Sequence, residues 1–484
     1  MKSKGKLVSD SKEKDDILIQ QFKSVFTIDK STAIPQTTKH IDEPIPKLTI
    51  RENGVEKLLQ DINPSKASGP DGIPNRILKE CASQIALSLT VIFQKSIDTG
   101  RLPEDWLSAS ISCVYKKGDK HASENYRPVS LTSVPGKLLE HIMKHLERHR
   151  ILTSLNHGFR SGYSCEAQLL GTLHDFMKAY DAGLQTDVAI LDFSKAFDTV
   201  QHKKLLSKMD SYGIRGPINN WLNMFLTHRK MKVVVEGEQS EEVTVDSGVP
   251  QGTVLGLLLF LCHINDLPDV VKSSVRLFAA DCLLYRIIKS AKDHQLLQED
   301  LKSLQAWAND LGMRFNAKIC YILSIKNKSQ HFCSLNGHIL QQVQNNPYLG
   351  LQISEDLKWT IHIANVAKKA NPTLGFLRRN LKYCPQEYKK TAYISLVRST
   401  MEYGGIIWDP CTETNITRLE IIQRQATRFI TGDYKSQEEG SVANMLVKLY
   451  KNNKNLKREE RARNLYSCIK WLRSWFLLLN QTIT

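Results

Sequence analysis

Two aspartates in β-rich settings carry the chemistry that this sequence suggests. Asp192 lies near the end of a short, nearly continuous apolar run, DVAILDF from Asp187 to Phe193, as a buried strand does when it delivers a carboxylate to a sheet edge. Asp281 falls between two more β-rich runs, Val275 to Phe278 and Cys282 to Tyr285, so a hairpin places it at a tight turn. Their separation in the chain fits side-by-side strands of one sheet, with the two carboxylates converging. Two-metal phosphoryl transfer needs this arrangement. Hard Mg²⁺ takes oxygen ligands, and two ions ~3.5–4 Å apart activate an attacking hydroxyl and stabilise the leaving oxygen. Taken singly, either aspartate reads first as a loop acid or a helix cap, and the surrounding sequence has to decide.

The elements that must position these acids are legible as local patterns. A helix is expected from about His202 to Tyr212, and Met231 to Glu236 with Glu242 to Asp246 reads as a hairpin around GEQS. SGVPQGT is a Gly and Pro turn opening onto a buried helix from Val254 to Ile264. Gln295 to Leu311 spaces Leu297, Leu301, Leu304, Trp307 and Leu311 at helical intervals. Upstream, SKASGPDGIP is a turn-dense loop, Arg76 to Thr99 has helical spacing, and Ile111 to Tyr115 reads as a strand. The basic loop KKGDKHASENYRP follows, then a helix from Pro135 to His149. Beyond about residue 355 the pattern is helical and reads as a distinct helical domain.

The bulk numbers set the class. At 484 residues and 41% hydrophobic the chain can bury a sizeable core, with about three folding units as the prior. It holds 66 Lys and Arg against 50 Asp and Glu, a net charge of +16 that attracts polyanions and points to nucleic acid. The ten cysteines form no C-x-x-C pair and have no His at zinc-finger spacing, which argues against a structural zinc site. The start, MKSKGKLVSDSKEKDD, is charged where a secretory signal needs an apolar core. The longest apolar run, Val254 to Cys262, is shorter than the ~18 residues of a membrane span. A protein of nucleus and cytoplasm, neither secreted nor membrane-bound, is expected.

Three segments in order, LDFSKAFDTV (191–200), SGVPQGTVLG (247–256) and LFAADCLLYR (277–286), resemble palm motifs of the reverse transcriptases of non-LTR (LINE-type) retrotransposons. The resemblance extends upstream through GPDGIP (69–74), KKGDKHASENYRPVSLTSVPGKLLE (116–140) and HGFRSGYSCEAQL (157–169). Downstream it runs through WANDLGMRFNAKICYILS (307–324), YLGLQIS (348–354), KKANPTLGFLRRNL (368–381) and LVRSTMEYGGIIWDP (396–410). It implies an α+β right-hand polymerase fold with fingers, an antiparallel-sheet palm and a helical thumb. The expected division is a basic, partly disordered linker over 1–50 with one short amphipathic stretch of helical spacing, Ile17 to Phe26, then fingers over 51–175, palm over 176–350, thumb over 351–435, and a basic tail over 436–484 of partly unrelated sequence.

Position by position, the resemblance implies that Asp192, the backbone carbonyl of Phe193, and Asp281 are metal ligands for two Mg²⁺ ions, with Mn²⁺ able to substitute. Phe197 matches a steric gate against the ribose 2′-hydroxyl; the alternative is a core Phe following a strand. Gln251 and Gly252 match residues beside the incoming nucleotide, and Lys116, Lys117 and Arg127 fall in the element that holds the triphosphate. A solvated basic loop is the other reading of those three. Arg160 is a template-strand or structural contact. The implied partners are an RNA template, a DNA primer and deoxynucleoside triphosphates.

Three departures qualify this. Ala280 stands where the family has the first Asp of a Phe-Ala-Asp-Asp hallmark, Ile319 rather than Lys precedes Cys320, and Leu257 stands where Pro usually follows VLG. The expectation is a truncated, degenerate copy that is impaired as an RNA-directed DNA polymerase, lacks nicking activity, and at the extreme is a nucleic-acid-binding remnant.

Overall fold

The computed structural model describes residues 1–3, 6–27, 40–144, 151–326, 329, 331–436, 441 and 445. The chain divides into two compact units, one of Met1–Gln168 with Ala179–Val343 and the other of Leu169–Lys178 with Gln344–Thr484. Where three folding units were expected, the segments anticipated as fingers and palm share one hydrophobic core. That core runs from Ile50 and Val55 through Phe193 and Trp221 to Leu340.

The first unit holds two sheets. The smaller contains β1 (Ser108–Tyr115), β2 (Tyr126–Thr132) and β4 (Lys230–Val235), with β1 antiparallel to β2 and parallel to β4. The expected hairpin after Met231 forms, with Met231 opposite Val243. It lies in the span anticipated as palm, yet its first strand pairs with Ser108–Ile111. Inside the segment expected to be linker, a helix spans Ser11–Lys23. It buries Leu18, Ile19 and Phe22 against Ala109, Ile111, Met231 and Val233, because an apolar stripe at helical spacing needs a sheet face to leave water.

The larger sheet has the order β8 (Gln341–Val343), β7 (Tyr321–Ile325), β3 (Gln185–Leu191), β6 (Asp281–Ile288), β5 (Ser274–Phe278). Neighbours are antiparallel except for the edge pair β7 and β8. The central strand β3 is buried along nearly its whole length, which accounts for the apolar run Val188–Leu191 in its second half. Helices Val254–His263 and Ala291–Asp310 pack into the core with Leu255, Leu259, Leu297, Leu301 and Leu304. The helix expected over Arg76–Thr99 is two, Asn75–Glu80 and Ala82–Thr99, meeting at Cys81. That expected from Pro135 spans Val134–Met143, its remainder at 145–149 lying outside the described residues.

The second unit opens with a short hairpin, Asn345–Tyr348 against Leu351–Ser354. Helices Thr360–Asn380, Gln386–Tyr393 and Glu413–Thr431 follow, closing over Leu374, Leu377, Val397, Ile422, Ala426 and Phe429. This agrees with the helical pattern of the sequence. The expected C-terminal tail lies, from residue 437 on and apart from 441 and 445, outside the described residues. Among the described residues no helix is long and apolar enough to cross a membrane.

Candidate active site

Asp192 and Asp281 meet across neighbouring strands. Cys282 pairs with Leu191 in the β6–β3 ladder, and the same register carried one residue further sets Asp281 opposite Asp192. Residues so placed stand ~4.5–5.5 Å apart at Cα. The backbone of Asp192 is held from the β7 side: its N–H donates to Cys320 Sγ at 3.4 Å, and its carbonyl accepts from Asn316 N–H at 2.9 Å. Burial pushes the Cys320 thiol up to about 11, so at neutral pH it is a neutral acceptor.

Asp281 is the first residue of β6, and the hairpin's two central residues are Ala279 and Ala280, since Phe278 pairs directly with Asp281. Ala279 has φ 53°, a region in which glycine is the usual occupant of such a turn. Its N–H donates to Asn156 Oδ1 at 3.0 Å. The same oxygen accepts from Gly158 N–H at 3.1 Å, and a Cβ on Gly158 would collide with Ala279 N. The loop therefore grips the turn backbone to backbone. Arg160 ties that loop together, donating from Nη1 to the carbonyls of Thr153 and Asn156 at 2.6 and 3.1 Å and stacking 4.3 Å from the Tyr163 ring. These bonds are structural.

Both carboxylates are held above the ordinary range. For Asp192, half-buried, desolvation raises the pKa against the opposing pull of Lys116, Lys117, the Phe193 N–H and Arg127. Asp281 is exposed as a residue, yet desolvation of its carboxylate comes first and the Asp192 charge second, with Lys116 and Arg127 opposing both. Of the three cations predicted from sequence, Lys116 and Arg127 thus act electrostatically on both acids and Lys117 on Asp192. They sit at the loop end of the β1–β2 hairpin, where Val114 pairs with Arg127 and Lys116 N–H donates to Asn125 O at 2.9 Å. Tyr115 Oη to Gly118 O at 2.6 Å and Asn125 Nδ2 to Asp119 O at 2.9 Å order the loop between them. Crowding by desolvation and by Arg127 lowers the Lys116 pKa.

Phe197 and Gln251 come together through two segments that zip side by side. Val249 N–H donates to Phe197 O and Gly248 N–H to Val200 O, both at 2.8 Å. The Phe197 ring is half-buried, 4.3 Å from Phe260 and edge-on to Phe159 at 6.4 Å, so it is backed by core while one side stays open. Gln251 donates from Nε2 to Asp198 Oδ1 at 2.8 Å, and its carbonyl accepts Ser130 N–H at 2.7 Å. Gly252, at φ 94°, passes so close to β2 that a Cβ would stand 2.9 Å from Val129 Cγ1. Its bareness thus serves an approach to β2.

Two contributors escaped the sequence analysis. Asp198 holds Gln251, and its own pKa is raised by burial against that bond. It stands inside LDFSKAFDTV, but only the fold reveals its partner. Glu140, fully buried, accepts Val254 N–H at 2.8 Å and Leu255 N–H at 3.0 Å, capping the helix that follows the VPQG turn jointly with the Thr253 hydroxyl. Of the departures, Ile319 and Lys318 are both exposed at the end of a short 3-10 turn, and Leu257 is half-buried within helix Val254–His263.

The donor set is all oxygen and suits a hard divalent cation in kind. Among the described residues no group of three or more His, Cys, Asp or Glu surrounds one point, so the pair stands alone. Ala280, half-buried against the core, adds a methyl and no oxygen donor beside the pair.

The family described as reverse transcriptase (RNA-dependent DNA polymerase) matches residues 114–353. The probable RNA-directed DNA polymerase from transposon BS of Drosophila melanogaster is 26% identical over 456 residues, 88% of this chain and 50% of that protein. The RNA-directed DNA polymerase from mobile element jockey of the same species is 26% identical over 415 residues, 80% and 44% respectively. The retrovirus-related Pol polyprotein from type-1 retrotransposable element R2 of Popillia japonica is 26% identical over 305 residues, 58% and 41%. The chain spans about half the length of the first two.

Proposed function

The chain carries a reverse transcriptase domain over residues 114–353, and on that premise we propose that it is built to copy an RNA template by extending a DNA 3′ end with deoxynucleoside triphosphates, as a non-LTR retrotransposon polymerase does. The observation that carries this reading is the placement of Asp192 across from Asp281 in the strand register, with the charges of Lys116 and Arg127 acting on both acids.

Asp192, Asp281 and the Phe193 carbonyl would hold Mg²⁺, or Mn²⁺ in its place. When bound, the ions supply activation of the primer 3′-hydroxyl and neutralisation of the leaving pyrophosphate. The chain's own groups do the rest. Lys116, Lys117 and Arg127 bind the triphosphate and offset its charge in the transition state. Phe197, braced by Phe260, occupies the space a ribose 2′-hydroxyl needs, and Gln251, oriented by Asp198, lies under the nucleotide. Arg160 keeps the loop that clamps the Ala279–Ala280 turn.

Ala280 favours a second reading, a nucleic-acid-binding remnant that performs no chemistry, because water can fill a ligand position but cannot replace a carboxylate's charge. Primer extension on an RNA template, with the chain beside its Ala280→Asp variant, separates the two. Rescue by Asp establishes the polymerase architecture. Absence of extension in both, with duplex binding intact, supports the remnant. Binding itself should weaken with salt at a log–log slope of roughly −4 to −7 for about five to eight phosphate contacts. A flat response rejects both readings.

A further inference from the structure

The corner between helices Thr360–Asn380 and Gln386–Tyr393 carries large aromatic rings exposed to water. Tyr383 is 90% exposed, Tyr388 67% and Phe376 55%, while the unit's core closes beneath them over Leu374, Leu377, Tyr393 and Phe429. Arg378, Arg379 and Lys382 are exposed on the same corner, against one acid, Glu387. The Lys382 ammonium lies 5.2 Å from the Tyr383 ring centre.

From this we propose that the corner binds single-stranded RNA, its rings stacking on unpaired bases and its cations tracking the phosphates. Exposed aromatic faces alternating with cations match a strand whose bases are free to stack outward. A duplex presents phosphates but keeps its base faces covered by neighbouring pairs, so it would engage the cations and leave the rings idle. The choice of RNA rests on the proposed function, in which the unpaired strand awaiting copying is RNA.

The test uses the full chain and measures fluorescence anisotropy with a 20-nucleotide unstructured RNA, a DNA of the same sequence, and a blunt RNA–DNA duplex. Tyr383→Ala with Tyr388→Ala should weaken single-stranded RNA binding by about 10-fold or more while changing duplex affinity less than about two-fold. Tyr383→Trp with Tyr388→Trp should keep the RNA affinity. The thermal melt should not move, since both side chains are solvated. Equal losses on all three ligands, or none, overturn the proposal, and tighter binding of the DNA overturns the assignment to RNA. A chain that sediments as a dimer and becomes monomeric in the double variant gives the surface to a second copy instead. Failure of extension after Ala280→Asp speaks only against the polymerase reading, because this binding requires no catalysis.

Discussion

The side-chain oxygen of Asn156 accepts the backbone N–H of Ala279 at 3.0 Å and so holds the turn that precedes Asp281 from outside the sheet. Asn156 is itself buried, and the strand that leads into the turn is tied to the same loop by Leu277 N–H to Leu155 O at 3.0 Å and His157 N–H to Leu277 O at 3.0 Å. The turn at the acid pair is thus shaped by a distant loop as well as by its own residues.

Replacing Asn156 by Ala leaves the N–H groups of Ala279 and Gly158 without their acceptor in a buried setting. A loss of about 2–3 kcal/mol in unfolding free energy is expected by urea titration. Ala279→Gly should act in the opposite sense, gaining about 1 kcal/mol by relieving the positive φ. Stability unaffected by Asn156→Ala would mean that the clamp contributes nothing.

Ala280→Asp decides the activity. Restoring a carboxylate beside Asp281 should raise primer extension by about 10³-fold, equivalent to ~4 kcal/mol in the barrier. Ile319→Lys should add to it. Robust extension by the unaltered chain, abolished by Asp192→Ala, would show that two aspartates suffice.

In the Ala280→Asp background, Phe197→Ala should admit ribonucleotides, seen as a fall of about 10-fold or more in the ratio of deoxynucleotide to ribonucleotide kcat/KM, since the open side of the ring is removed. An unchanged ratio would leave Phe197 as a packing partner of Phe260 alone.

The raised pKa values of Asp192 and Asp281 fix a sign for stability. A carboxyl that holds its proton more firmly folded than unfolded favours the fold below the unfolded value, near ~3.9, and that contribution is lost as pH rises through the higher folded value. At pH 7.5 the pair therefore opposes folding. Asp281→Asn should melt higher than the parent at pH 7.5, with the difference shrinking by pH 4. A lower melt at pH 7.5 would contradict the repulsion between the two carboxylates.

Glu140→Ala should cost about 3 kcal/mol, because it uncaps the buried start of helix Val254–His263 and removes two charge-assisted hydrogen bonds. Glu140→Gln keeps one acceptor and should cost less. Equal unfolding midpoints for Ala and Gln would place the effect in packing.

Most of what is encoded at short range was legible in the sequence, the break of Arg76–Thr99 into two helices at Cys81 excepted. DVAILDF reads as a buried strand because β3 is covered on both faces, and LFAADCLLYR reads as a hairpin because β-rich runs flank Ala279, Ala280 and Asp281, although the structure confines the turn to the two alanines and gives Asp281 to the strand. The motif words around Asp192, Gln251 and Asp281 identify the domain for the same reason. The tertiary structure alone decided what those words touch. Asn156 meets Ala279, Gln251 meets Asp198, Glu140 meets Val254, and Lys230–Val235 joins the sheet of Ser108–Tyr115. The amphipathic stretch of the segment anticipated as linker forms a helix whose partner strands, about a hundred and two hundred residues on, only the fold reveals. Periodicity reports which face of an element is apolar and says nothing of which distant element will cover it. A buried polar atom finds its partner only when the core closes, since burial is what makes an unpaired donor or acceptor costly.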